Sequence, residues 1–165
     1  MDIINDILSY KDQMYRLALR ITQNSQEAED VVQDITVKAW RMREQLQKVD
    51  SLEAYLLRMT RNLSLDRQRL KGNHTESLEG VEADSVTAAT GMAPPADEQM
   101  IKDERIASVR AVMAQMPEKL RVAMQLRDFE GYSYKEISDI MQISEDQVKV
   151  CIFRARQFVK AKFVI

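Results

Sequence analysis

The sequence has little of several residue types, and each shortage excludes a class of protein. Cys151 is the only cysteine among 165 residues, so an internal disulfide is impossible and a zinc site built on cysteines is excluded. No apolar run approaches the roughly 20 residues that cross a bilayer. The start, "MDIINDILSY", lacks the basic and apolar regions of a signal peptide. We therefore expect a cytoplasmic protein.

Motifs of enzymes and of cofactor binding are also missing. The sequence has no G-x-x-x-x-G-K-[ST] or G-x-G-x-x-G loop, and His74, its only histidine, belongs to no cluster with carboxylates. The ten methionines are spread along apolar stripes, where they fill cores, and Trp40 is expected to pack inside a helical bundle. The sequence therefore predicts no enzyme activity, no cofactor, no metal site and no small-molecule substrate.

Glycine and proline are scarce except in one acidic segment. The stretch "TESLEGVEADSVTAATGMAPPADEQ" is rich in small residues and acids, and residues 76–104 carry 8 acidic side chains against 1 basic one. Such a composition is typical of a linker. We expect a flexible acidic linker over 73–100, between an N-terminal helical domain, 1–72, and a C-terminal domain, 101–165. A passive tether and an active, nucleic-acid-like role for the linker both stay open.

Three helices are predicted before the linker, because apolar residues recur at helical spacing. The first covers about 2–22. The second begins at Ser25, a capping residue followed by acids in the first turn. The third begins at Asp50, which forms a predicted capping box with Glu53. Together they indicate a small helical bundle.

The C-terminal part has the outline of a helix-turn-helix. Helices are predicted over about 98–115 and 118–129, with a break at Pro117. Two capping boxes follow, Ser133 with Glu136 and Ser144 with Gln147. Two capped helices at this spacing are typical of a helix-turn-helix. The fold class is therefore all-α, with an N-terminal bundle and a four-helix C-terminal domain.

The last predicted helix carries a basic face. Between Lys149 and Lys162 there are five bases and no acid, and Lys149, Phe153 and Arg156 share one outer stripe. A helix that enters the major groove of DNA needs such a face. A solvated face favoured by the helix dipole is the alternative, but the capping boxes favour DNA binding.

A second basic stretch, "RMTRNLSLDRQRLK", covers 58–71. It combines arginines with Asn62 and lies close to Tyr55. Arginine, amide and aromatic side chains together suit single-stranded nucleic acid, since they neutralise phosphates, bond base edges and stack. A solvated face is again the alternative.

Three blocks in order resemble the extracytoplasmic-function (ECF) sigma factors of the sigma-70 family. "AEDVVQDITVKAWR" (28–41) is similar to the core-binding helix of that family. "AYLLRMTRNLSLDRQR" (54–69) is similar to its helix that reads the −10 element. "MPEKLRVAMQLRDFEGYSYKEISDIMQISEDQVKVCIFRAR" (116–156) is similar to its C-terminal domain. The turn carries Gln142 where the family usually has glycine, and Val150 stands where a polar residue is common.

The resemblance implies roles for three sets of residues. The set that grips the clamp helices of RNA polymerase is Asp30, Gln33 and Asp34. The set that captures and melts the −10 element is Gln45 and Lys48, in the loop 44–51, with Arg58, Arg61 and Asn62. The set that contacts the −35 duplex is Lys149, Val150, Phe153 and Arg154, to which the basic stripe adds Arg156.

The implied function is that of a transcription initiation factor. Its implied partners are core RNA polymerase, through the clamp helices of the largest subunit and the flap region, promoter DNA, both duplex and single-stranded, and an anti-sigma factor, which in this family can be anchored in a membrane. Two other functions fit the same residues. One is an all-helical operator-binding regulator that acts without being a polymerase subunit, and the other is a protein-interaction module with no role on DNA.

Overall fold

The computed structural model of the chain describes residues 2–72 and 97–163. All regular secondary structure in these two ranges is helical, as the sequence predicts. The helices are α1 (Ile3–Ser9), α2 (Lys11–Thr22), α3 (Ser25–Arg41), α4 (Arg43–Leu46), α5 (Leu52–Gly72), α6 (Asp97–Met113), α7 (Glu118–Met124), α8 (Tyr134–Met141) and α9 (Glu145–Phe163). Residues 73–96 of the predicted linker lie outside the described residues. The last four positions of that linker, 97–100, belong to α6.

The N-terminal bundle is built on α2, α3 and α5, which pack against one another. Large apolar side chains from all three are fully buried, including Met14, Leu17, Ile35, Leu56 and Leu57. The predicted first helix over 2–22 is interrupted at Tyr10, whose backbone leaves helical geometry and closes α1 through bonds to two of its last carbonyls. The bundle is therefore the predicted one with an additional break.

Two predicted helix caps in the bundle are wrong by one residue. Asn24, not Ser25, caps α3, since its side chain accepts the backbone N–H of Glu27 at 2.9 Å. Ser51 caps α5 by accepting the N–H of Ala54 at 3.1 Å, so the predicted box of Asp50 with Glu53 does not form. In both cases neighbouring residues are competent caps, and packing of the helix selects between them.

The C-terminal half contains the predicted helix-turn-helix. Ser133 and Glu136 form the reciprocal capping box of α8, and Ser144 and Gln147 exchange the same pair of bonds at the start of α9. Between the helices Gln142 takes the left-handed conformation, with φ 59°. This conformation explains why glycine is the usual residue at such a turn.

A wide helical turn interrupts the helix that was predicted over 118–129. After α7 the backbone forms a π-helical turn over Gln125–Phe129, in which the N–H of Glu130 bonds to the carbonyl of Gln125 at 3.0 Å. Such turns are uncommon and concentrate at functional sites. Here it aims the side chain of Glu130 at α2.

The N-terminal and C-terminal halves pack against each other. Helix α8 lies on α5 and α7 lies on α2, and one continuous cluster of buried apolar side chains includes residues of both halves, Ile137 and Ile140 among them. A smaller cluster around Met113, Met116 and Met124 holds α6 and α7 against α9. No helix in the described ranges has the length and apolar character that a bilayer crossing requires.

Candidate nucleic-acid interface

The outer face of α9 is open to solvent. Its inner residues Val148, Ile152 and Ala155 are buried, as the spacing predicts, so the opposite stripe points outward. The members of the predicted −35 set on that stripe are exposed: Lys149, Val150, Phe153, Arg154 and Arg156. Phe153 is 62% exposed and Val150 46% exposed, so two apolar side chains lie among the bases of this face.

Arg156 is held by an acid from the neighbouring element. Its guanidinium donates two hydrogen bonds to the carboxylate of Asp128, at 2.5 and 3.2 Å. The hydrogen bond to Asp128 raises the pKa of Arg156 above its ordinary value. Asp128 precedes Arg156 by 28 residues, so local sequence gave no signal of the pair. Any phosphate that Arg156 binds has to compete with this carboxylate.

Lys149, at the start of α9, lies beside an aromatic ring. Its Nζ is 5.6 Å from the ring centroid of Tyr134, and the guanidinium of Arg127 approaches the same ring at 4.4 Å. Both contacts are cation–π distances. The ring of Tyr134, at the start of α8, therefore contacts two basic side chains, one of which lies on the outer face of α9.

A groove between α3 and α5 gathers part of the predicted −10 set. Its volume is about 420 Å³, and it is lined by Asp34, Ile35, Lys38, Tyr55, Arg58, Met59, Asn62, Leu63 and Asp66. Two of the predicted residues, Arg58 and Asn62, share this lining with the aromatic ring of Tyr55. Arg61 lies at its edge and donates to the amide oxygen of Asn62 at 3.3 Å. Lys38 was missed by the sequence analysis, because it lies in the block that was assigned to polymerase.

The other two residues of the −10 set are not in the groove. Gln45 lies in α4 and Lys48 in the turn that follows, and both are exposed. Buried Leu46 anchors this short helix to the bundle. The predicted loop 44–51 therefore begins as a helical turn, with Gln45 and Lys48 directed to solvent beside α3 and α5.

The acidic face of α3 has a counter-ion within the chain. Gln33 and Asp34 are exposed and Asp30 is partly exposed. Arg67 of α5 approaches the carboxylates of Asp34, Glu27 and Asp30 at 2.7, 3.5 and 3.9 Å. This partner was not predicted, since Arg67 belongs to the stretch that was interpreted as binding single-stranded nucleic acid.

Trp40 lies on the surface, so the prediction that it packs inside the bundle is wrong. The indole is 43% exposed and Val37, one turn earlier, is 49% exposed. Arg43 stacks on the indole at 3.8 Å from the ring centroid and donates to the Trp40 carbonyl at 2.9 Å. The bundle is filled by smaller residues of α3, which leaves the indole beside Gln33 on the outer face.

These surfaces define a class of protein: a helical DNA-binding protein with one helix-turn-helix and a groove lined by two bases, two carboxylates and a tyrosine ring. Comparison with known proteins gives the family. The model described as Sigma-70 region 2 matches residues 7–73, and the one described as Sigma-70, region 4 matches residues 106–159.

Individual relatives agree with these matches. RNA polymerase sigma-H factor of Pseudomonas aeruginosa is 31% identical over 93% of this chain and 81% of its own length. The ECF sigma factor SigW of Bacillus subtilis is 27% identical over 96% of this chain and 88% of its own. The chain belongs to the ECF group of the sigma-70 family, whose members are the promoter-directing factors of RNA polymerase.

A solved structure has the same fold. The sigma factor RpoE of Bartonella quintana, crystallised in complex with the anti-sigma factor NepR, matches with a TM-score of 0.73 over 97% of this chain and 95% of its own, at 20% identity. Both helical halves fall within the matched length.

Proposed function

We propose that this sigma factor carries its three activities on three surfaces, the first two of which adjoin at Asp34. Residues Asp30, Gln33 and Asp34 on α3 bind the clamp helices of core polymerase. The groove between α3 and α5 takes the displaced −10 strand, and the outer face of α9 takes the −35 duplex. In this assignment 1–72 and 101–165 are the two functional domains, and the protein is a cytoplasmic, non-catalytic subunit.

The observation that carries the proposal is the groove between α3 and α5. Single-stranded DNA is bound by bases that neutralise its phosphates and by aromatic rings on which its bases stack. Arg58, Lys38 and the ring of Tyr55 line one concavity here, together with the carboxylates of Asp34 and Asp66. Asn62 adds an amide that can bond a base edge. Gln45 and Lys48 extend this surface along the exposed turn after α3.

The α9 face supports contact with duplex DNA. Residues near the start of a recognition helix reach base edges, and those further along reach phosphates. Lys149 is therefore assigned to a base and Arg154 to the backbone. Phe153 and Val150 are exposed apolar groups that suit the methyl of thymine.

The α3 face supports contact with a basic protein surface. Asp34 and Asp30 present carboxylate oxygens that suit the arginines of a partner, and Arg67, 2.7 Å from Asp34, is the internal counter-ion that such arginines would displace. Val37 and Trp40 lie beside them and give the face an apolar part, as the centres of protein interfaces usually have.

We propose two further partners on the basis of the family relationship. The structural relative from Bartonella quintana is held by an anti-sigma factor, and we propose a partner of the same kind here. The flap region of polymerase is proposed as the contact of the C-terminal half.

The test is transcription in vitro with core polymerase, with start sites mapped on genomic fragments. Asp34→Arg is expected to abolish association with core polymerase in a pull-down. The Arg58→Ala, Asn62→Ala double variant is expected to bind polymerase and form the closed complex, but to lose permanganate reactivity of the −10 thymines. Lys11→Glu, an exposed change on α2, is the control. Promoter binding that is equally tight without polymerase would instead favour an operator-binding regulator.

A further inference from the structure

Three hydrogen bonds tie Ser138 of α8 to the turn of the helix-turn-helix. The carbonyl of Ser138 accepts the backbone N–H of Gln142 at 2.8 Å and that of Ile143 at 3.3 Å. The hydroxyl of Ser138 donates in return to the carbonyl of Ile143 at 2.5 Å. Ser138 therefore holds both backbone polar groups of Ile143.

The two backbone bonds are an ordinary way to end a helix, but the hydroxyl bond is an addition to it. Helices commonly end at a left-handed residue, and the N–H groups of that residue and the next one bond to carbonyls of the last turn. Here the left-handed residue is Gln142, at φ 59°, and a residue with a Cβ adopts this conformation less readily than glycine. The hydroxyl of Ser138 thus stabilises a turn that its own sequence disfavours.

Ile143 sets the angle at which the chain enters α9. It directly precedes the cap Ser144, and Val148 follows that cap by four positions, so the two apolar residues stand where a hydrophobic staple forms. Val148 is fully buried in the apolar core, and Ile143 packs against that core. A residue that fixes the backbone of Ile143 therefore also fixes the first turn of α9.

Lys149, the side chain proposed to read a −35 base, lies in this first turn. Its Nζ is 5.6 Å from the ring centroid of Tyr134, and Tyr134 stands one helical turn before Ser138 on α8. The start of α9 is therefore joined to α8 twice, through the backbone at Ser138 and through the side chain of Lys149.

Movement of this turn affects the two kinds of DNA contact differently. A hydrogen bond to a base edge weakens steeply when its distance or angle changes, whereas the attraction between a cation and a phosphate falls off slowly with distance. A shift at the start of α9 would therefore weaken the recognition of bases more than the binding of the DNA backbone.

We propose that Ser138 is a positioning residue for −35 recognition, which acts through Ile143 and holds Lys149 within reach of a base edge. Ser138 itself lies away from the DNA surface, because it is half-buried on α8 and its hydroxyl is bonded within the turn. The inference rests on the proposed role of Lys149. It adds to that role a residue that sets discrimination between sequences without contacting them.

The test measures how the complex with core polymerase discriminates between −35 sequences. The discrimination ratio is the Kd for a promoter duplex with one −35 base pair substituted, divided by the Kd for the mapped promoter, and it is measured over a panel that substitutes each −35 position. Partial unfolding raises both Kd values by the same factor, because only folded molecules bind. The ratio is therefore insensitive to the stability that Ser138→Ala is also expected to lose.

Ser138→Ala is expected to lower the ratio by about threefold or more at the base pair where Lys149→Ala lowers it, which is part of the discrimination that one base-edge contact supplies. Ser138→Thr keeps the hydroxyl and is expected to keep the wild-type ratio. Ser9→Ala is the matched control, since it removes a hydroxyl bond of the same kind, 2.6 Å to the carbonyl of Asp6, on α1. It should leave the ratio unchanged at every position.

Two results would overturn the inference. One is a ratio in Ser138→Ala that equals the wild-type value at every −35 position, and the other is a ratio that Ser138→Thr lowers as far as Ser138→Ala does. Lys149→Ala tests the proposed function separately, because it leaves the turn intact. If Lys149→Ala changes the preference at no −35 position, Lys149 is not the base-reading residue, whereas a failure of the inference alone leaves the effect of Lys149→Ala in place.

Discussion

The guanidinium of Arg156 is bound to a carboxylate of the protein, whereas the ammonium of Lys149 lies over a tyrosine ring. The two side chains share the outer stripe of α9, but Arg156 makes two hydrogen bonds to Asp128, whereas Lys149 makes a ring contact with Tyr134. A cation that is already paired with a carboxylate of the protein gains less binding free energy from a DNA phosphate. The contribution of each base to DNA binding is therefore set by its partner as well as by its position.

We expect Lys149→Ala to cost about 1–3 kcal/mol on the cognate −35 sequence and to relax the base preference there. Arg156→Ala should weaken binding to all sequences alike, with a decrease of at most about one unit in the salt slope. Asp128→Asn should strengthen binding to all sequences, because it releases Arg156. A panel of −35 mutant duplexes titrated at several salt concentrations measures all three. Weaker binding by Asp128→Asn would show that the ion pair serves to orient Arg156 on DNA.

Trp40 is expected to be a main contributor to polymerase binding. Truncating a tryptophan that is a hot spot of an interface costs about 2 kcal/mol or more, so Trp40→Ala should weaken binding to core polymerase by roughly 30-fold or more. The thermal midpoint should change little, since the indole is largely exposed. Leu70→Ala, at a residue that is 73% exposed on α5, is the matched control. Calorimetric titration with core polymerase would contradict this if the two variants bind equally well.

At the scale of elements, the turn between α8 and α9 carries a conformational cost. Gln142 and Gln23 are the non-glycine residues with positive φ among those described, at 59° and 57°. A residue with a Cβ in this region costs about 1 kcal/mol relative to glycine. Gln142 ends α8 by donating its backbone N–H to the carbonyl of Ser138 at 2.8 Å, which glycine would preserve.

Gln142→Gly should therefore raise the free energy of unfolding by about 0.5–1 kcal/mol. Gln23→Gly should raise the free energy of unfolding by less, or lower it, because the Gln23 side chain donates a hydrogen bond to the carbonyl of Ala114 at 3.2 Å. Urea denaturation followed by circular dichroism compares the two. Equal gains would mean that the bond from Gln23 to the carbonyl of Ala114 contributes nothing to stability.

Local signals explain which elements the sequence could predict. Both capping boxes of the helix-turn-helix were found because a box depends on residues three apart. The buried stripe of α9 was found because helical spacing alone assigns Val148 and Ile152. The caps of α3 and α5 were misplaced because Asn24 and Ser25, or Asp50 and Ser51, are competing caps. The π-helical turn has no sequence signal of its own.

Partners that lie far apart in the chain were beyond prediction. The sequence indicated Arg58, Arg67 and Arg156 as nucleic-acid ligands, but not that Asp139, Asp34 and Asp128 would hold them. Those pairs depend on how α5 packs on α3 and α8 and on how α9 packs on the π-helical turn, and no local pattern contains that packing. Trp40 was misplaced for the same reason, since spacing alone could not decide whether the flank of α3 is covered.

At the scale of the whole molecule, the shared core predicts coupled unfolding. One continuous cluster includes side chains from both halves, so the described parts should unfold together in one calorimetric transition. Arg16→Glu should divide this into two transitions, because it replaces the two hydrogen bonds from Arg16 to Glu130, at 2.6 and 2.8 Å, by repulsion between two carboxylates where the halves meet. The double variant Arg16→Glu, Glu130→Arg should restore one transition. Two transitions in the wild-type protein would show that the contacts between the halves are too weak to couple them.

The π-helical turn at Gln125–Phe129 sets the direction in which the chain leaves α7 and so the orientation of the residues that follow it. A π-helical turn holds one residue more than an α-helical one, and each residue of an α-helix advances the chain by about 100°. Loss of a single residue here would rotate Glu130 away from Arg16 and carry α8 off α5. A one-residue insertion or deletion at this position would therefore switch the relation between the two halves while leaving every proposed DNA and polymerase residue unchanged.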